Sequence, residues 1–187
     1  MNFLELVNTR QSVRKYTDKK VEKEKIEKCL EAARFAPSAS NSQPWHFVVV
    51  DDPELKNKVA EHTYDPLIAF NKFVSQAPVL IVLVLEKPKV ITQIGAIIKK
   101  KKYPLIDIGI AAEHICLQAA ELNLGTCMLG WFNQKPIQKL LGIPEKKDIG
   151  LILTMGYPPE EYRLRKKIRK EKKDVISFNK YNNQNDD

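Results

Sequence analysis

Apolar residues in this chain fall into two patterns, helical stripes and short unbroken runs. Ile26, Cys29, Leu30, Ala33 and Ala36 recur at helical spacing among charged neighbours, which predicts a helix over 21–35 that stops at Pro37. A short helix is expected over 3–8 and an extended or irregular segment over 10–16. Residues 45–50 are β-rich, between Pro44 and Asp51-Asp52-Pro53. Residues 54–62 and 66–73 read as helices. The unbroken β-branched and Leu run over 78–85 reads as a buried central strand. Residues 86–103 have an apolar middle (Val90, Ile91, Ile94, Ile97, Ile98) and a Lys-rich end, and match neither period cleanly.

The next helix, over 104–122, begins at Pro104 and meets stop signals at Asn123 and Gly125. Its polar residues Asp107, His114, Gln118 and Glu121 make one narrow stripe. Nearly everything else is apolar, too much for a helix packed on one side. Gly109, Ala112, Cys116 and Ala119 are small enough for another helix to approach closely. A central helix within one protomer and a helix at a homodimer seam explain this equally well. A strand over 125–129, a helix over 134–141 and a buried strand over 149–157 follow. Pro158-Pro159 closes the compact part. The basic tail over 160–187 carries Val175, Ile176, Phe178 and Tyr181, which need something to cover, a second subunit being one answer. With no repeat and no Gly/Ser linker, the expectation is one α+β layered domain over 1–187.

Composition narrows the class. An apolar fraction of 43 % over 187 residues supports a real core rather than disorder. The opening Met1-Asn2-Phe3-Leu4-Glu5-Leu6 lacks a basic start followed by a long apolar run, and no apolar run is long enough to cross a bilayer, so no leader and no membrane are expected. Cys29, Cys116 and Cys127 are odd in number and far apart, which reads as reduced, buried thiols and a cytoplasmic protein. The net charge of +8 fits either a nucleic-acid partner or a solvated Lys-rich surface with a site for an anion. The basic runs over 99–102 and 163–173 contain no aromatics on which bases could stack, so no nucleic acid is expected.

Several chemistries lack their motifs. No GxGxxG occurs. Gly125 and Gly130 have P-loop spacing, but Trp131 stands where the lysine belongs. His46, His62 and His114 are scattered without an HExxH, and His62 with Asp65 reads as a solvated turn, so no metal is expected. No serine sits in a nucleophile elbow. An enzyme remains possible without a catalytic side chain when a cofactor supplies the reactive atoms.

Two segments carry the positive signal. In Arg10-Gln11-Ser12-Val13-Arg14, alternation puts two guanidiniums and a hydroxyl on one side of an extended chain, a phosphate clamp or a plain basic face. The loop Pro37-Ser38-Ala39-Ser40-Asn41-Ser42-Gln43-Pro44-Trp45 gathers hydroxyls and amides that can hydrogen-bond a ring edge or a sugar-like chain, or simply joins helix to strand. Together these two segments resemble the N-terminal motifs of the nitroreductase family. The helix carrying Asp107, Gly109, Ala111, Ala112 and Glu113, then Gly125-Thr126 and Gly130-Trp131-Phe132, is similar to that family's central section. Gly156-Tyr157-Pro158 and Lys167-Ile168-Arg169 are similar to its ending.

The resemblance implies an intertwined α+β homodimer, its central, mostly antiparallel sheet flanked by helices, with two FMN sites, each built from both subunits. It implies that Arg10, Ser12 and Arg14 hold phosphate and ribityl oxygens, aided by Lys167 and Arg169, and that Gln11 also belongs to the cofactor site. Pro37, Ser38, Ala39 and Asn41 reach the flavin from the partner, while Met128, Leu129 and Gly130 lie along its ring. NADH or NADPH reduces FMN, and a nitroaromatic, quinone or similar small acceptor then reoxidises it in a ping-pong exchange. The tail wraps the other subunit, and 86–103 borders the substrate. A flavin reductase, a dehalogenase-type reductase and a non-catalytic FMN-binding module are the alternatives on this fold. Two positions depart from the family pattern: Leu129 stands where many members have an acid, and Gln11 offers no aromatic or His for a ring contact. The register around Asn71 and Lys72 is left open.

Overall fold

The computed structural model describes residues 1–64, 70–88 and 102–181. Six helices and four strands follow in the order α1 (Phe3–Thr9), α2 (Lys23–Arg34), β1 (Trp45–Val50), α3 (Pro53–Glu61), β2 (Val79–Leu85), α4 (Tyr103–Glu121), β3 (Gly125–Leu129), α5 (Gln134–Leu141), β4 (Ile149–Gly156) and α6 (Lys172–Val175). Short 3₁₀ turns occupy Ala39–Asn41 and Lys72–Gln76. Local signals explain several boundaries. Asn2 and Glu5 form a reciprocal capping box on α1. Asp52 caps α3 by accepting from the Leu55 N–H, with Pro53 in the first turn. Gly142, at φ 65°, ends α5. The helix expected over 66–73 falls largely on 65–69, outside the described residues. Beyond them Asn71, at φ 68°, leads into the 3₁₀ turn. Of the segment 86–103, residues 89–101 also lie outside the described residues.

The sheet runs β1-β2-β4-β3 with every neighbouring pair antiparallel. Both of its faces are covered, which explains why β2 is an unbroken apolar run rather than an alternating one. Leu80, Val82 and Val84 face Val59 and Ala60 of α3 and Ile137 of α5. Val79, Ile81 and Leu83 face Ile26, Cys29 and Ala33 of α2 and Ile108, Ala111, Ala112 and Ile115 of α4. Each such aliphatic side chain contributes about 1.5–3 kcal/mol by leaving water. The β2–β4 register shifts between Leu83 and Val84, and Gly150 beside the shift brings its backbone against Ile108 of α4.

For α4 the structure shows a helix central to one chain, its buried side running from Asp107 to Ala119 against the sheet and α2. Its first turns also expose Leu105 (47 %) and Ile106 (55 %), so the central-helix reading does not account for every apolar position. Asp107, expected in a polar stripe with Glu121, is buried instead. Cys29, Cys116 and Cys127 are free and buried, and burial pushes the Cys29 and Cys116 thiols up to about 12.

The extended segment after α1 is docked beside β3. Ser12 bridges Thr126 in parallel, and the Val13 N–H donates to the Thr126 carbonyl at 2.8 Å. A Cβ on Gly125 would meet the Val13 side chain at 2.7 Å, so glycine is required for this approach. Tyr16 anchors the far end: its buried hydroxyl donates to the Val13 carbonyl at 2.8 Å and lies 2.6 Å from Thr154 Oγ1. Burial pushes the Tyr16 phenol well above its ordinary range, so it acts only as a neutral hydrogen-bonding group. Replacing Tyr16 by Phe leaves buried polar partners behind and should cost about 1–3 kcal/mol, measured as a fall in the urea midpoint at unchanged slope.

Candidate flavin site

Docking of the 10–16 segment determines what lies beside it. A cleft of about 360 Å³ is lined by Arg10, Gln11, Ser12 and Arg14 on one side and by Arg165, Lys166, Lys167, Ile168 and Arg169 of the C-terminal tail on the other. Six residues expected to hold the cofactor therefore come together: Arg10, Gln11, Ser12, Arg14, Lys167 and Arg169. Arg165 is an addition. It lies in the run of cations over 163–173, where sequence alone gives no reason to choose it.

Backbone and side-chain bonds stitch the two strands of the cleft together. The Arg165 N–H and Nε donate to Gln11 Oε1 at 3.2 and 3.3 Å, and the Arg165 guanidinium also donates to the Ser12 carbonyl. Gln11 Nε2 donates to the Arg163 carbonyl at 3.3 Å, and Lys167 Nζ donates to the Arg10 carbonyl. The Gln11 side chain thus engages the tail on both of its polar atoms. Arg10 is held from α4, its Nε 3.1 Å from Glu113 Oε1. Glu113 stands in the motif that carries the resemblance, but spacing alone did not pair it with Arg10.

The cleft is strongly cationic. Burial, and then the neighbouring charges of Arg10 and Arg169, hold the Lys167 ammonium below the usual lysine range. Like charges crowded in this way are relieved by a bound anion. The residues fit the phosphate end of FMN: planar guanidinium donors, an ammonium and a hydroxyl, on a segment fixed by the sheet.

The other predicted residues do not line this cleft within one chain. Pro37, Ser38, Ala39 and Asn41 lie between α2 and β1, in a loop tied to the start of α4: the Ala39 N–H donates to Asp107 Oδ1 at 3.1 Å. That loop is strained. Ser40, Asn41 and Gln43 have φ of 51°, 50° and 47°, and left-handed backbone costs about 1–2 kcal/mol per ordinary L-residue, less for Asn. Asp107 and Glu113 are six positions apart on α4, about 9 Å of rise, so one helix holds both predicted groups. Met128 and Leu129 end β3, and Gly130 follows it. The Leu129 side chain is buried in the core with Val13 and Cys127, which accounts for an apolar residue there, while Gly130 is exposed with open space where a Cβ would stand.

Among the described residues no group of three or more His, Cys, Asp or Glu is placed to hold a metal ion, and no helix is long and apolar enough to cross a membrane.

The chain is 36 % identical, over 84 % of its length and 86 % of the relative's, to a protein of Archaeoglobus fulgidus named as an NADH dehydrogenase/NAD(P)H nitroreductase. It is 31 % identical to mouse iodotyrosine deiodinase 1, covering 85 % of this chain and 63 % of that one. Among solved structures, an FMN-dependent nitroreductase of Clostridium difficile superposes with a TM-score of 0.77 at 31 % identity, covering 96 % of this chain and all of that one. The nitroreductase family model matches residues 7–72 and 67–157, and the chain belongs to the nitroreductase family.

Proposed function

We propose that this chain is an FMN-dependent NAD(P)H oxidoreductase of the cytoplasm, acting as a homodimer on nitroaromatic, quinone or similar small acceptors in a ping-pong exchange of two electrons. The observation that carries the reading is the cation cleft between the 10–14 segment and the tail. Bound there, FMN would supply the two-electron redox chemistry between NADH or NADPH and the acceptor. The chain's own work is binding and orientation. Arg14, Arg165, Lys167 and Arg169 hold the phosphate, and Ser12 offers a hydroxyl beside it. Backbone N–H groups at Leu129 or Gly130 serve as donors toward N5, where negative charge develops. Pro37, Ser38, Ala39 and Asn41 serve the ring from the second subunit, which is why they lie outside the cleft in one chain.

The homodimer reading is supported by exposed apolar surface. Phe3 (67 %), Leu105 (47 %), Ile106 (55 %) and Trp131 (58 %) are uncovered, as are Ile168 (88 %) and Phe178 (86 %) on the tail. We take 1–187 as one domain whose 160–187 extension wraps its partner. A dehalogenase-type reductase on the same fold is the second reading, and similarity to the deiodinase favours it.

Three outcomes are expected. The purified protein should show a flavin absorption spectrum and release FMN on heating; a protein that stays colourless after incubation with FMN would overturn the proposal. Light scattering after size-exclusion chromatography should give twice the 21.5 kDa chain mass. Replacing Arg14 or Arg165 by Ala removes a charge-assisted contact of about 1.5–3 kcal/mol, so FMN should bind roughly 10- to 100-fold more weakly in a fluorescence titration.

A further inference from the structure

Asp107 lies outside the cation cleft, and its environment is unfavourable for a carboxylate. The residue is 3 % exposed. Its Oδ1 accepts from the Ala39 N–H at 3.1 Å, while Oδ2 is buried with no hydrogen-bond partner. Burial pushes this carboxyl above its ordinary range, opposed by the Ala39 N–H. An aliphatic side chain would fill the same space without an orphaned oxygen, so packing alone does not call for an acid here.

The loop it touches is also unfavourable when considered alone. Gln43 N–H donates to Ser38 Oγ at 2.9 Å, Gln43 Nε2 donates to Asn41 Oδ1 at 2.9 Å, and Asn41 N–H donates to the Ser38 carbonyl at 3.0 Å. These bonds shape a turn through three left-handed residues. None of these three bonds reaches the helix layer, whereas the Asp107 bond does. Strain of this kind persists where surrounding contacts over-determine it, and it gathers at ligand clamps.

We propose that Asp107 is a positioning residue, which through the Ala39 N–H fixes the strained 38–41 loop on α4 in the conformation that receives the flavin ring. This rests on the flavin reading above, and its test separates the two.

Three variants are compared with the unchanged chain. Asp107→Asn keeps an acceptor at Oδ1, Asp107→Leu fills the space without one, and Ala39→Pro removes the donor from the loop side. Ser38 already has the extended backbone, φ −145° and ψ 155°, that a following proline requires. Amide hydrogen exchange on FMN-free protein is the first readout. Ala39 should exchange at least ~10-fold faster in Asp107→Leu and within ~2-fold of the unchanged rate in Asp107→Asn, as a single hydrogen bond's loss or retention requires. FMN titration is the second. Asp107→Leu and Ala39→Pro should bind roughly 10-fold more weakly, Asp107→Asn nearly as the unchanged chain, with affinity for inorganic phosphate the same in all four. The proposal is overturned if Asp107→Leu leaves Ala39 exchange unchanged, if it binds FMN normally despite faster exchange, or if Asp107→Asn fails as Asp107→Leu does. An unchanged chain that takes up no FMN overturns the flavin reading, and this inference with it.

Discussion

The site depends on one close approach, that of Val13 to Gly125. A single missing Cβ lets the 10–16 segment lie beside β3, where the Thr126 carbonyl accepts from the Val13 N–H and Tyr16 reaches Thr154 inside the core. Side-chain direction along that segment then matters. Val13 and Tyr16 turn into the core, and Arg10, Gln11, Ser12 and Arg14 line the cleft. The tail follows the same logic from the opposite side, because it is tied to backbone and amide atoms of the docked segment rather than to a core of its own. Loosening the approach at Gly125 would therefore disperse cations drawn from both ends of the chain.

Much of this was legible in sequence where the physics is local. The stripe Ile26, Cys29, Ala33 became the buried face of α2, and the unbroken run over 78–85 became the strand paired on both sides. Arg10, Ser12 and Arg14 were visible because alternation needs only a strand. Residues whose meaning depends on distant partners were not. Arg165 is one cation among many until Gln11 and Ser12 accept from it across more than a hundred and fifty positions of chain. Asp107 read as part of a polar stripe because periodicity assigns a polar residue to the wet side. The 38–41 loop reaches it through the Ala39 N–H, and no helical period encodes that. Pairing of Arg10 with Glu113 was hidden for the same reason.

The likeness to both nitroreductases and a deiodinase follows from how little of the chemistry resides in this scaffold. A fold whose task is to hold a phosphate end and present a ring leaves the choice of acceptor to whatever borders the ring. On the proposed flavin reading, the docked segment, the tail and the strained loop bear on the cofactor. They impose little on the molecule that is reduced.

Elsewhere the chain follows local rules in side-chain caps on α1 and α3, a sheet apolar on both faces, and buried neutral thiols. Three violations lie on or beside residues expected to touch the flavin, while left-handed Asn71, Asn123 and Asn179 and the buried Lys56 lie elsewhere. Arginines and a lysine crowd one cleft until Lys167 is disfavoured as an ammonium. Three residues other than glycine take left-handed backbone between Ser40 and Gln43. One carboxyl oxygen of Asp107 is buried without a donor. Each lowers stability by itself. In the proposed homodimer, where the loop of one protomer would meet the cleft of its partner, they would share one site, with α4 holding Arg10 through Glu113 and the loop through Asp107, the pattern expected when local stability is given up to keep a binding site ready for an anionic, ring-bearing ligand.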